Sequence, residues 1–202
     1  MQTVSGLFET YNDATKAVHA LKGAGMKAAD ISLIANTPAD LTPDVDPVGK
    51  DAAAGAEVGA VLGAGGGLLA GLGIIAIPGL GAVLAGGWLV TAIMGALAGA
   101  GLGAATGGLI GLMTEAGIPR SDAQVYAEGV RRGGALVSVR VPENRVDEAV
   151  EILAQAGSVD LGERRERFER EGWTAFEEAT PERVDEEVSS YRDRYPLVPP
   201  VL

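Results

Sequence analysis

The apolar and polar positions of this 202-residue chain change period several times along its length. In TVSGLFET, Val4, Gly6 and Phe8 fall on one face of a short strand. Asn12 or Asp13 is placed to cap a helix on which Ala14, Ala17, Val18 and Leu21 share one face. Gly23 or Gly25 ends that helix, and DISLIAN follows as a short apolar strand. Residues 120–161 read helix–strand–helix–strand. Ser121 or Asp122 caps the first helix and Gly133-Gly134 stops it; ALVSVRV is a strand ending at Pro142. ENRVDEAVEILAQAG is a helix with Val146, Ala149, Val150 and Leu153 inward, and SVDLGE is a last short strand.

The two pieces align without a gap. TVSGLFETYNDATKAVHALKGAG lies on ALVSVRVPENRVDEAVEILAQAG, matching Val18 with Val150, Leu21 with Leu153 and Gly25 with Gly157. Two βαβ units of this size predict an α+β fold: a ferredoxin-like four-stranded antiparallel sheet with helices on one face. Residues 1–35 form its first half and 118–161 its second. Between them lie an acidic, proline-rich linker at 36–54 and an apolar block at 55–117. Residues 162–202 form a charged tail.

The apolar block has a second period. Gly55, Gly59, Gly63, Gly67 and Gly71 recur every fourth residue, as do Gly95, Gly99, Gly103, Gly107 and Gly111. Positions i and i+4 share a helix face, so each row predicts a groove without side chains where another backbone can approach closely. With Pro78 and Gly79 as the break, the block predicts a glycine-zipper helical hairpin, about residues 52–76 and 82–116. Its arms are roughly 35–50 Å long, against about 30 Å for a hydrocarbon core. No residue from Val58 to Thr114 is charged, a run of 57. Arms apolar all round must be buried on all sides, in lipid or against other copies of the chain.

Composition narrows the function classes. A net charge of −11 opposes nucleic-acid binding and polybasic attachment to acidic lipid. There is no cysteine, and His19 is the sole histidine, so thiolate and histidine-rich metal sites are excluded. MQTVSGLFET lacks the basic and apolar parts of a signal peptide, which predicts a start on the cytoplasmic side, with membrane association left open. Asp44-Val45-Asp46 lacks the glycine and distal glutamate of a calcium loop. Phosphate-loop, dinucleotide and nucleophile-elbow motifs are missing, so neither catalytic residues nor a cofactor is expected. Asp147 and Glu151 read as surface charge on a helix flank, and His19 as a partly exposed helix residue. Arg131 and Arg132 can pair with a neighbouring subunit's acidic tail. In the tail, Trp173 and Phe176 stand among arginines and glutamates, which predicts docking on the same or a neighbouring domain.

VSGLFETYNDATKAVHALKGAGMKAADISLIAN, the central GLLAGLGIIAIPGLGAVLAGG, YAEGVRRGGALVSVRV and GWTAF together resemble a bacterial general stress protein family, the heat-induced stress protein domain, with a low-complexity glycine-zipper insert. That resemblance implies induction under stress and a structural or membrane-associated role, with no activity to carry over. The expectation is a non-enzymatic, self-associating protein whose hairpins pack in a membrane or in a homo-oligomer core. The alternative is a small-ligand sensor of the ACT-like kind, anchored by the hairpin.

Overall fold

The computed structural model of the chain describes residues 1–36, 73–77, 80–92 and 108–176. These form a mixed α/β structure around one five-stranded sheet in which every pairing is antiparallel. In chain order the main elements are β1 (Gln2–Phe8), α1 (Tyr11–Gly23), β2 (Ile31–Asn36), β3 (Gly73–Ile77) and β4 (Gly81–Gly87). They continue with α2 (Gly108–Glu115), α3 (Arg120–Arg131), β5 (Ala135–Val141), α4 (Val146–Gln155) and α5 (Leu161–Arg170). Across the sheet the strand order is β1-β5-β2-β4-β3.

One face of the sheet carries α1 and α4. Ala14, Ala17, Val18 and Leu21 of α1 are buried against Phe8, Leu33, Val137 and Val139. The cap of α1 lies earlier than expected. Thr10 is the N-cap: its hydroxyl oxygen accepts the Asp13 N–H and its hydroxyl donates to the Asp13 carboxylate. At the other end Gly25 adopts φ +82°, as Gly157 does at φ +91° after α4, so the internal repeat reaches the helix stops.

The repeat fails at Val150. Its counterpart Val18 is fully buried, whereas Val150 is 51% exposed. Helix α1 lies over the middle of the sheet, but α4 packs chiefly on β1, the edge strand. One flank of α4 therefore overhangs the edge, and Ala149 and Leu153 carry the contact. SVDLGE is not a strand. Asp160 accepts the Glu163 N–H and starts α5, and only the Val159 N–H reaches β1, donating to the Leu7 carbonyl at 2.8 Å. The four-stranded ferredoxin-like order is therefore not completed at this edge; the sheet grows at the other edge, past β2.

That growth overturns the long helical hairpin. Residues 73–76 and 82–87, expected in its two arms, lie instead in strands paired from Ile77↔Gly81 to Gly73↔Ala85, and β4 continues onto β2. The reversal between Ile77 and Gly81 falls where the sequence predicts one, but it joins strands. The segment GIIAIPGLGAVLAGG is short, rich in β-branched residues and bounded by glycine and proline, which suits a buried strand pair better than a helix. Gly87 closes β4 at φ +97°, where a Cβ would run into the Ile31 carbonyl, so no other residue fits.

The second face carries α2 and α3. Ile34, Ile77, Val83, Leu89, Leu109, Ile110, Met113, Ala127 and Leu136 form its core. Part of the uncharged block is thus a wall of the folded domain. No helix among the described residues is long and apolar enough to cross a membrane.

Candidate functional site

The polar groups concentrate where α3 ends, beside β1 and α5. The segment YAEGVRRGG spans the last turns of α3 and its stop, and each of its distinctive residues has a contact. The Tyr126 hydroxyl donates to the Ser5 carbonyl at 2.9 Å. Burial pushes its phenol up to about 12, with the Asp122 carboxylate adding to the shift. Gly129 lies against Leu7, whose Cδ1 would be 2.8 Å from an added Cβ. Gly133 takes φ +103° and Gly134 passes between the Phe8 and Gly129 carbonyls, with no room for a side chain. Asn36 at the end of β2 donates to the Val130 and Arg131 carbonyls, satisfying the end of the helix.

Glu128 is the centre of this cluster. It is 1% exposed, the one charged side chain so buried among the described residues. Arg131 grips it with two donors, at 2.8 and 2.6 Å, and Arg132 adds a third. Arg132 also pairs with Glu171, and its guanidinium lies 4.2 Å from the centre of the Phe168 ring. Bonds from Arg132 and then Arg167 hold the Glu171 carboxyl below its ordinary value. Arg164 pairs with Glu9 and also lies over Phe168, and Arg165 bonds Asp122 at 2.6 Å. Between α3, α5 and the end of β1, Glu9, Arg132, Arg164, Arg167, Phe168 and Glu171 line a cavity of about 200 Å³ whose arginines each have a carboxylate partner. A planar anion entering it would have to displace Glu9 or Glu171, which leaves a clamp between helices rather than an open anion site.

A second polar feature crosses the buried sheet face. Ser5, Ser138 and Ser32 stand in register on β1, β5 and β2. The Ser5 and Ser138 hydroxyls are 2.8 Å apart, and Ser32 donates to the Gly86 carbonyl. None of these bonds goes to a histidine or carboxylate, the partner that would activate a serine nucleophile. In the next row Arg140 bonds Asp30 at 2.9 Å and lies 4.7 Å from the Trp88 ring centre.

The sequence-predicted residues are distributed as follows. Phe176 is buried in the core of the second face, and Trp173 packs at its margin, edge-on to Phe168 at 5.9 Å. Arg131 and Arg132 meet Glu128 of their own helix, and Arg132 meets the acidic tail of its own chain through Glu171. His19, Asp147 and Glu151 are exposed. Gly111 lies in α2, and no backbone among the described residues approaches it closely. Gly55, Gly59, Gly63, Gly67, Gly71, Gly95, Gly99, Gly103, Gly107, Pro78, Gly79 and the Asp44–Asp46 pair lie outside the described residues. No group of His, Cys, Asp and Glu able to hold a metal occurs among the described residues.

Glu128 and Phe168 were not singled out by sequence reasoning. The available signal was a lone glutamate between Ala127 and Gly129 on the apolar face of a helix, with arginines three and four residues later. No family model, curated protein or solved structure matches the chain.

Proposed function

We propose that the chain is a non-enzymatic, self-associating protein, of the general stress type its sequence resembles. One observation carries this reading: the uneven placement of charge. Each copy has a net charge of −11, yet 57 consecutive residues carry none, and part of that run builds the β4–β3 end of the sheet. The paired arginines and carboxylates of α5 gather at the β1 end. Like-charged copies repel at contact distance, so they approach most easily through the uncharged end. The rest of the uncharged run, 58–72 and 93–107, carries no charge either and lies outside the described residues.

The test is sedimentation velocity of the full chain without detergent over a wide concentration range, together with flotation on neutral lipid vesicles. Discrete species above the monomer are expected, or co-flotation if lipid is the partner. A monomer at every concentration that also fails to float would refute the proposal.

A further inference from the structure

Helix α5 meets the rest of the domain with few of the residues that hold a core helix. Its inward stripe, at i, i+3, i+4 and i+7, is Leu161, Arg164, Arg165 and Phe168, and only Phe168 is buried. The equivalent stripe of α1 is Ala14, Ala17, Val18 and Leu21, apolar and buried at all four positions. Among the described residues α5 is held instead by charge, at three separate places. Arg164 reaches Glu9 just beyond β1, and Arg165 reaches Asp122 in the first turn of α3 at 2.6 Å. Glu171, which follows α5, takes Arg132 at the other end of α3. The Phe168 anchor is itself flanked by charge, with the Arg132 and Arg164 guanidinium carbons 4.2 and 5.8 Å from its ring centre. Beneath the helix the packing is not closed: the cavity of about 200 Å³ separates it in part from Leu7, Phe8, Gly129 and Gly134.

We propose that α5 is a strap whose grip is set by ionic strength. It closes over the cavity at low salt and lifts as salt rises, while α1 and the sheet stay folded. The direction follows from the contacts. All three bridges are partly exposed, so dissolved ions reach and screen them. The reach of a charge shrinks from about 30 Å at 0.01 M salt to about 3 Å at 1 M. The apolar burial that holds α1 on the sheet carries no such dependence on screening. Lifting α5 withdraws Phe168 and opens the β1 end of the molecule, with Leu7 and Phe8 at its floor. The strap is a property of one chain and stands independently of the self-association proposed above.

The experiment is hydrogen exchange of the full chain at about 0.01 M and about 1 M NaCl, at one pH and one dilute concentration. Amides of α5, taken relative to those of α1 in the same sample, should exchange at least about tenfold faster at the higher salt. An unchanged ratio would overturn the strap, whether α5 is then held by apolar contact or opens only with the whole fold. Arg164→Met combined with Arg165→Leu provides the second arm. It makes the inward stripe apolar and removes two of the three bridges, so α5 should stay docked and its salt response should fall below about threefold. A folded double variant that responds to salt as the parent does would overturn the proposal, because the bridges would not be what salt acts on. If the double variant does not fold, the parent's own ratio decides.

Discussion

The β1 end and the β3 end of the sheet solve the problem of a strand edge in opposite ways. At β1, a tyrosine hydroxyl and one backbone N–H occupy two of the outward carbonyls, and paired charges of α5 stand nearby. At β3, five residues without a charge follow directly from a glycine-rich run. The β1 end therefore specifies a boundary, and it does so through side chains that are read poorly from sequence. The β3 end shows no such boundary among the described residues, and its composition is easy to see and easy to assign to the wrong element. Absence of charge says that a segment must be covered; it does not say whether a helix or a strand does the covering.

The largest effect separates the two ends outright. Removing residues 52–117 and bridging the gap would leave an autonomous domain if the uncharged block were a detachable hairpin. The structure predicts the reverse. The deletion takes away β3, β4 and α2, and with them Ile77, Val83, Leu89, Leu109, Ile110 and Met113, all at most 3% exposed. Each is worth about 1.5–3 kcal/mol of burial, and together they match or exceed the typical net stability of about 5–15 kcal/mol. The shortened chain should lack a cooperative unfolding transition by circular dichroism. A sharp transition would show that β1, β5 and β2 fold without the uncharged end.

Where the sequence was legible, one local rule was enough. The buried face of α1 follows from the 3.6-residue period, and β5 stops at Pro142 because proline cannot continue the ladder. Val150 was misread because its period is right but its helix overhangs the β1 edge, which only the assembled sheet decides. Residues 73–87 were misread because glycines every fourth residue on either side suggest a helix, while Ile74, Ile75, Ile77 and Val83 favour a strand. Glu128 was invisible because burial of a charge depends on how α3 lies on Leu7 and Phe8. A rule for charged residues places glutamates outside.

A smaller effect isolates the clamp at the β1 end. Glu128→Gln keeps the shape of the side chain but removes the charge that Arg131 and Arg132 converge on. Both arginines reach solvent in part and can be rehydrated, so the cost stays below that of stranding a wholly buried ion. A destabilisation of about 1–3 kcal/mol is expected, read as a lower urea midpoint with an unchanged slope. The position of the β3 edge should not change, so self-association of the folded variant should match the parent. A variant as stable as the parent would mean that the three-residue cluster contributes nothing to holding α3 on the sheet.

The smallest effect concerns one hydrogen bond at the β1 edge, and pH can switch it. Tyr126→Phe deletes the donor to the Ser5 carbonyl, and at neutral pH the loss should be about 1 kcal/mol. In the folded chain the phenol is raised from its ordinary 10.0 to about 12, chiefly by burial. A group raised on folding stabilises the fold fully below its unfolded value and less as pH climbs through the folded one. Between pH 10 and about 12 the unfolded chain ionises Tyr126 first, which draws the parent toward unfolding. Phenylalanine has no proton to lose there. Urea midpoints of both proteins, measured in steps across this window, should therefore converge and then cross, the variant becoming the more stable. If the gap between them stays constant from neutral pH through the window, the Tyr126 phenol ionises as easily folded as unfolded. It would then not be buried against β1, and the closed edge would lose its hydroxyl lock.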